Sequence, residues 1–110
     1  DNPHLKELNL YEIEYMYKDS LDDRREIKIG DIAEILNKFT ALERLTLRTQ
    51  GISDLSFVQY MPDLSYIDIS DNYIQDISPL VDLTNLKVVV CPKNQIANEQ
   101  LLPDTVMVLK

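Results

Sequence analysis

The side chains of this chain that could act as nucleophiles or as metal ligands are few and far apart. Its 110 residues include one histidine, His4, and one cysteine, Cys91. Nucleophilic catalysis needs a serine or cysteine beside a base, and a zinc-type site needs several spaced ligands. Since His4 and Cys91 stand at opposite ends of the chain, we expect no enzyme, no metal and no cofactor.

Three acidic residues, Asp19, Asp22 and Asp23, could form a calcium-binding loop. Calcium loops of the common type place alternate carboxylates ahead of a glycine. This segment has neither that spacing nor the glycine, so we favour a solvated acidic loop.

Composition and charge narrow the class of partner. Hydrophobic residues make up 45% of the chain and charged residues 27%, which is typical of one modest globular domain. The net charge is −8, from 11 basic and 19 acidic residues, whereas nucleic-acid binding needs a basic surface. No apolar run reaches the roughly 20 residues of a membrane helix. We therefore expect a protein partner, no nucleic acid and no membrane insertion.

A phrase with alternating apolar residues recurs at a fixed spacing. It begins at Leu42, Leu64 and Leu86, which defines a constant 22-residue period. In each phrase two apolar residues alternate as in a strand with one buried face: Leu45 and Leu47, Ile67 and Ile69, Val89 and Cys91. Cys91 takes the place of a strand leucine and is expected to be a small buried hydrophobe. The repeat predicts a solenoid with one strand per coil in a parallel sheet.

Each phrase continues into a turn with an amide side chain. Asn72 and Asn94 can satisfy backbone groups inside the bend, because an asparagine amide both donates and accepts hydrogen bonds. Gln50 departs from this pattern, and Gly51 beside it is expected to relieve the turn. Later in the repeat, the pair Ser78 and Pro79 predicts a helical or 3₁₀ turn that points Leu80 and Leu83 inward.

The domain is predicted to span 1–110, with regular repeats over 42–96 and a closing segment over 97–110 that includes a last strand near 105–109. Residues 1–41 are irregular coils, with a helix near 31–39 that Asp31 and Glu34 cap. A strand over 26–29 permits two arrangements of this part. In the first, which we favour, residues 1–41 form two short coils and this strand is a separate strand of the parallel sheet. In the second, the strand is part of an inserted hairpin.

The residues over one whole repeat resemble those of the leucine-rich repeat superfamily, and most closely its 22-residue bacterial subclass typified by internalins: Leu64, Asn72, Ile74, Ile77, Leu80, Leu83 and Leu86. The resemblance implies an α/β solenoid with a curved parallel sheet on the concave side and short helices, 3₁₀ turns or loops on the convex side. It implies a protein-binding module that is often displayed on a bacterial surface. An extracellular or cell-surface location is favoured on this ground alone, and a cytoplasmic one is the alternative.

Binding residues are expected at the strand positions that face away from the core. The candidates are Tyr11, Lys28, Arg44, Arg48, Tyr66, Asp68, Val88 and Val90. Arg44, Arg48 and Tyr66 would cluster on neighbouring strands, and Arg and Tyr are enriched in binding hot spots. Such a cluster would suit an acidic patch on a partner. The alternative is a solvated face whose arginines pair with Asp68, Glu43 or Glu26.

Toward the C-terminus the same face becomes apolar, through Val88, Val90 and one face of the segment 106–109. We favour the interpretation that a further segment or a second copy covers this edge, over a binding patch. Self-association through this edge strand would then depend on Val106 or Val108 and their neighbours. Two functions follow: a protein-recognition module that uses the concave strand face, and a structural spacer or assembly element that uses the apolar edge.

Overall fold

The computed structural model describes residues 4–9, 39–49 and 51–110. Within these residues there are five strands of three residues each: β1 Glu7–Asn9, β2 Arg44–Thr46, β3 Tyr66–Asp68, β4 Val88–Val90 and β5 Met107–Leu109. They form one sheet in the order β1-β2-β3-β4-β5, and every neighbouring pair is parallel. Three 3₁₀ turns connect the later strands: η1 Ser56–Tyr60, η2 Ser78–Asp82 and η3 Glu99–Leu101. The predicted parallel sheet with short helical turns is thereby confirmed.

The 22-residue period sets the register of the sheet. Leu45 pairs with Ile67, and Ile67 pairs with Val89, so equivalent residues of successive phrases stand side by side. All three are buried, because alternate side chains of a strand point to the same face. The other residues of these strands face away from the core, and they form the surface analysed below.

The two-coil arrangement of the N-terminal part is wrong. Strand β1 pairs directly with β2, with Glu7 opposite Arg44, and the Arg44 N–H donates to the Lys6 carbonyl at 3.0 Å. That edge of β2 is therefore occupied, and a strand over 26–29 cannot stand between β1 and β2. Residues 10–38 lie outside the described residues, and so do the predicted hairpin and most of the helix near 31–39.

The core lies between the sheet and the 3₁₀ turns. It contains the inward strand residues together with one or two apolar residues of each of the first two turns, including Phe57 and Val58 of η1 and Leu80 of η2. A proline stands in the first turn of η2, as the sequence predicts, and Leu83 after it is also buried. The pair Phe57 and Val58 thus occupies the positions that Pro79 and Leu80 occupy one repeat later.

The predicted role of Asn72 and Asn94 in the turns is confirmed, and we call the two residues the asparagine ladder. The Asn72 Oδ1 accepts from the Ile52 N–H at 3.1 Å, and its Nδ2 donates to the carbonyls of Leu47 and Ile69 at 2.7 and 2.9 Å. Asn94 repeats the pattern one coil further on, accepting from Ile74 at 2.9 Å. Each asparagine thus joins its own coil to the one before it, where turning strands would otherwise leave backbone groups unpaired.

A second polar ladder follows the same period. Asp54, Asp76 and Asn98 occupy equivalent positions of successive repeats. The Asp54 Oδ1 accepts from the Ser56 N–H at 2.9 Å. The Asp76 Oδ1 accepts from the Ser78 N–H at 2.8 Å and from the Asn98 Nδ2 at 2.7 Å. The Asn98 Oδ1 in turn accepts from the Ile77 N–H at 3.0 Å. The hydrogen bond from Asn98, followed by those from Ser78, lowers the pKa of Asp76.

Equivalent residues of three successive repeats adopt a left-handed backbone conformation. Thr49, Asp71 and Lys93 have φ angles of 57°, 58° and 62°, and they again occupy equivalent positions of successive repeats. Non-glycine residues other than Asn and Asp adopt this conformation at a cost of about 1–2 kcal/mol. Thr49 and Lys93 therefore carry backbone strain that Asp71 tolerates better.

Replacing Lys93 with asparagine should raise the free energy of unfolding by about 0.5–1 kcal/mol, because asparagine tolerates the left-handed conformation. The control is Lys87→Asn, which makes the same chemical change at a residue whose φ is not positive. Urea denaturation of the two variants and the parent protein provides the measurement. Equal shifts in Lys93→Asn and Lys87→Asn would show that backbone strain at Lys93 is not relieved.

Candidate functional site

The outward residues of the five strands form two rows across the sheet, on the surface that we call the open face. The first row is Glu7, Arg44, Tyr66, Val88 and Met107. The second row is Asn9, Thr46, Asp68, Val90 and Leu109. Both rows change from charged and polar at β1 and β2 to apolar at β4 and β5. The open face therefore offers two different chemistries side by side.

The polar half is organised around Arg44 and Tyr66. The Arg44 guanidinium carbon lies 4.0 Å from the centroid of the Tyr66 ring, a cation–π contact between adjacent strands. The Arg44 Nε is also 3.8 Å from the Glu7 Oε2, and both side chains are more than half exposed. Since an exposed ion pair of this kind contributes only about 0.2–1 kcal/mol, a carboxylate of a partner could replace Glu7 at little cost.

Arg48 is held in place by a buried carboxylate. Its Nε lies 2.7 Å from the Asp68 Oδ2, and the Asp68 side chain is fully buried whereas that of Arg48 is 56% exposed. The Asp68 Oδ1 accepts from the backbone N–H and the hydroxyl of Ser70. Asp68 thus serves to position Arg48 and to close the turn after β3. Of the two, Arg48 is the side chain that a partner can reach.

The ion pairs of the arginine cluster agree with parts of both interpretations, the binding cluster and the solvated face. Arg48 pairs with Asp68, as the solvated-face alternative expects, whereas Arg44 pairs with Glu7, which that alternative does not name. Glu43 pairs instead with Lys6 at 3.1 Å. The arginines are therefore oriented by neighbouring carboxylates and still largely exposed, which is an arrangement suited to recognition of an acidic group.

The apolar half consists of Val88, Val90, Met107 and Leu109, which we call the apolar patch. Val88 pairs with Met107 and Val90 with Leu109 across β4 and β5. The two valines are half-buried, whereas Met107 is 59% and Leu109 45% exposed. Exposed apolar side chains that are contiguous on one face indicate an interaction surface more often than scattered ones do.

The prediction that self-association depends on Val106 or Val108 requires a correction. Val106 is buried and Val108 packs against the core, so neither can carry an association through the open face. The outward residues are Met107 and Leu109, because alternation along the strand turns every second side chain away from the core. Met107 and Leu109 were included in the prediction only as neighbours of the two valines.

The remaining candidates are placed as follows. Tyr11 and Lys28 lie outside the described residues. Cys91 is buried, as predicted, and burial raises the pKa of its thiol, which keeps it in the poorly reactive neutral form. Among the described residues no group of three or more His, Cys, Asp or Glu side chains could hold a metal ion. No helix in the same part of the chain is long and apolar enough to cross a membrane.

Comparison with known proteins agrees with the repeat pattern at a coarse level. No family model matches the chain. Over 61 residues, 56% of its length, the chain is 31% identical to Leucine-rich repeat-containing protein 23 of Bos taurus. The chain spans only 18% of the length of that relative. The likeness supports the leucine-rich repeat superfamily and no narrower class, and it suggests a protein-interaction module in general terms.

Proposed function

We propose that this chain is a non-catalytic leucine-rich-repeat solenoid that binds a protein partner through its open face. The observation that carries the proposal is the continuity of the two halves of that face. Tyr66, which stacks under Arg44, pairs in register with Val88 at the border of the apolar patch. A partner that spans this border would bury the patch and meet the two arginines at once.

The composition of the face favours a protein over other classes of partner. Arg, Tyr and Met are enriched in protein–protein interfaces, and all three occur on the open face. The net charge of −8 opposes binding to nucleic acid. The 22-residue period and the Asn–Ile turn are the basis for proposing the narrower internalin-like bacterial subclass, and display on a cell surface follows from that proposal alone.

The proposed interface predicts a selective effect of the arginines. A partner is captured on the immobilised domain, purified, and measured by titration calorimetry against Arg44→Ala combined with Arg48→Gln. Glutamine can still donate to Asp68, so the buried carboxylate keeps a hydrogen-bond partner. Because exposed arginines at an interface centre often act as hot spots worth about 2 kcal/mol or more, the affinity should fall at least about tenfold.

The control for this prediction is Lys6→Ala combined with Lys110→Ala. It removes the same amount of positive charge from the two ends of the sheet, where both lysines form exposed ion pairs with Glu43 and Glu99. Its affinity should stay within about threefold of the parent. Equal losses in the two double variants would mean that only net charge matters, and would contradict recognition through the open face.

A specific observation also favours the second candidate, an assembly element. Met107 and Leu109 direct their backbone groups toward β4: the Met107 N–H donates to the Lys87 carbonyl, and the Leu109 carbonyl accepts from Cys91. In a parallel ladder the intervening Val108 then directs its N–H and C=O to the outer side. A strand of a second copy could pair there. Sedimentation over a concentration series would then show a dimer, whereas the recognition module should sediment as a monomer.

A further inference from the structure

We propose that the apolar patch, together with Lys87 and Lys93 at its two ends, binds a short extended segment of a partner protein in which apolar residues are flanked by acidic ones. This inference rests on the proposed function and names the chemistry of the partner. It assigns to β4 and β5 the anchoring of the segment, in addition to the contacts offered by Arg44 and Arg48.

The geometry of the patch fits one side of an extended chain. Its four side chains stand on two adjacent strands about 4.8 Å apart, and side chains two residues apart on a strand are separated by about 6.6 Å. An extended segment has that same separation between alternate residues. Leucine- or valine-sized side chains of such a segment could therefore enter between the Val88–Met107 and Val90–Leu109 pairs.

We infer the acidic residues of the bound segment from two lysines close to β4. Lys87 immediately precedes β4, and Lys93 lies in the turn after it. Within the described residues neither lysine forms an ion pair, whereas Lys6 and Lys110 are each held by a glutamate. Both Lys87 and Lys93 are exposed. Positive charge that is not neutralised locally thus stands at each end of an apolar strip.

Two acidic side chains of this part of the sheet form contacts with residues other than these lysines. Asp71 occupies the same turn position as Lys93 one coil earlier, and its Oδ2 accepts from the Thr49 hydroxyl at 3.3 Å. Glu99 is bound to the Lys110 ammonium at 2.8 Å. Carboxylates on a bound segment would therefore meet lysines whose charge is available, even though the chain as a whole is acidic.

The same charges argue against a second copy as the occupant of the patch. In a symmetric dimer each copy presents the same surface, so two apolar patches face to face would bring Lys87 and Lys93 against lysines of the other copy. Juxtaposed like charges oppose such an association. The patch is also on the open face and not at the outer edge of β5, so pairing of another strand with that edge would leave it accessible.

The test uses three synthetic peptides and the isotope-labelled protein, with binding followed by the shifts of backbone amide signals at low salt. In the first peptide three leucines are flanked by two glutamates on each side. In the second the glutamates are replaced by lysines, and in the third the leucines are replaced by serines. We expect the first to shift the signals of β4 and β5, the second to bind about three- to tenfold more weakly, and the third to shift no signals.

Two charge variants provide the matched comparison. Lys6 and Lys87 occupy equivalent places before β1 and β4, and the carbonyl of each accepts from the next strand. Lys87→Glu should weaken the glutamate peptide by about three- to tenfold, and Lys6→Glu should leave its affinity unchanged. Thermal unfolding of both variants confirms that the comparison is made on folded protein.

Four results would overturn the proposal. Equal affinities for the glutamate and lysine peptides would remove the acidic flanks from it. Equal effects of Lys87→Glu and Lys6→Glu would place binding elsewhere. Shifts that appear with protein concentration alone, centred on Val108, would assign this end of the sheet to a second copy. No shifts at millimolar peptide would show that the patch binds no such segment, while the arginine test would still decide the broader proposed function.

Discussion

Replacing Asn72 with alanine is expected to lower the free energy of unfolding by about 3–5 kcal/mol, which is enough to unfold a small domain of ordinary stability. The side chain is buried. Its Oδ1 accepts from the Ile52 N–H, and its Nδ2 donates to the carbonyls of Leu47, Ile69 and Ser70. Its removal takes the partner from the Ile52 N–H and the Leu47 carbonyl in a place that water reaches poorly. The Ile69 carbonyl keeps the hydrogen bond from the Asn94 Nδ2 at 2.8 Å. Each buried unsatisfied group costs about 1–3 kcal/mol.

The effect of Asn72→Ala on the free energy of unfolding can be compared with the effects of alanine at two less buried asparagines. Asn94 makes equivalent bonds but is only half-buried, so Asn94→Ala should cost less than Asn72→Ala. Asn85 is exposed and should be nearly neutral when changed to alanine. Chemical denaturation of the three variants measures the order. A value for Asn72→Ala within about 1 kcal/mol of that for Asn85→Ala would contradict the structural role of the ladder.

The second large effect is expected at the middle of the sheet. Ile67→Ala should lower the free energy of unfolding by about 2–5 kcal/mol, because it removes buried methyl groups and leaves a cavity. Ile67 is fully buried between Leu45 and Val89, its partners in the neighbouring strands. Since each coil is stabilised mainly by its neighbours, a defect at β3 weakens the coils on both sides.

The matched control for Ile67→Ala is Val108→Ala, at the corresponding position of the last strand. Val108 is only half-buried and contacts neighbours on one side of the sheet, so its truncation should cost about 1 kcal/mol. Thermal and urea unfolding give both values. If Ile67→Ala hardly moved the midpoint, or moved it less than Val108→Ala, the central position of β3 in the core would be wrong.

Much of the fold could be predicted because the same physical requirements recur in every repeat. Each strand must bury alternate side chains, and each turn must satisfy its backbone groups. Ile67 and Asn72 therefore reveal their places by spacing alone. The same argument could have found the second ladder, since Asp76 and Asn98 share that period, but aspartates on a surface are common and do not stand out.

The 22-residue period does not predict how the first and the last strand pair with their neighbours in the sheet. The step from Val88 of β4 to its partner Met107 of β5 is shorter than the period, so extension of the repeat does not give the register of the last strand. Composition alone indicated an apolar last strand, and the structure shows that Met107 and Leu109 are the residues of this strand that face outward. Before β2, the strand predicted over 26–29 suggested two short coils, whereas Glu7 and Arg44 are direct neighbours in the sheet.

The sequence predicted which residues lie on the open face, but it did not predict the contacts between their side chains. Alternation along the strands put Arg44 and Tyr66 on the open face, and the parallel register made them neighbours. Pairing with Glu7, and the burial of Asp68 beneath Arg48, depend on side-chain conformations that a strand pattern does not specify. These details decide which groups a partner can reach.

The most direct test of recognition through the open face is methyl cross-saturation in the complex with the captured partner. Irradiation of the partner should reduce the methyl signals of Val88, Val90, Met107 and Leu109. Val81 is 40% and Leu101 51% exposed away from that face, and their signals should persist. Loss of the Val81 or Leu101 signals with the apolar patch unaffected would place the partner elsewhere and contradict this account.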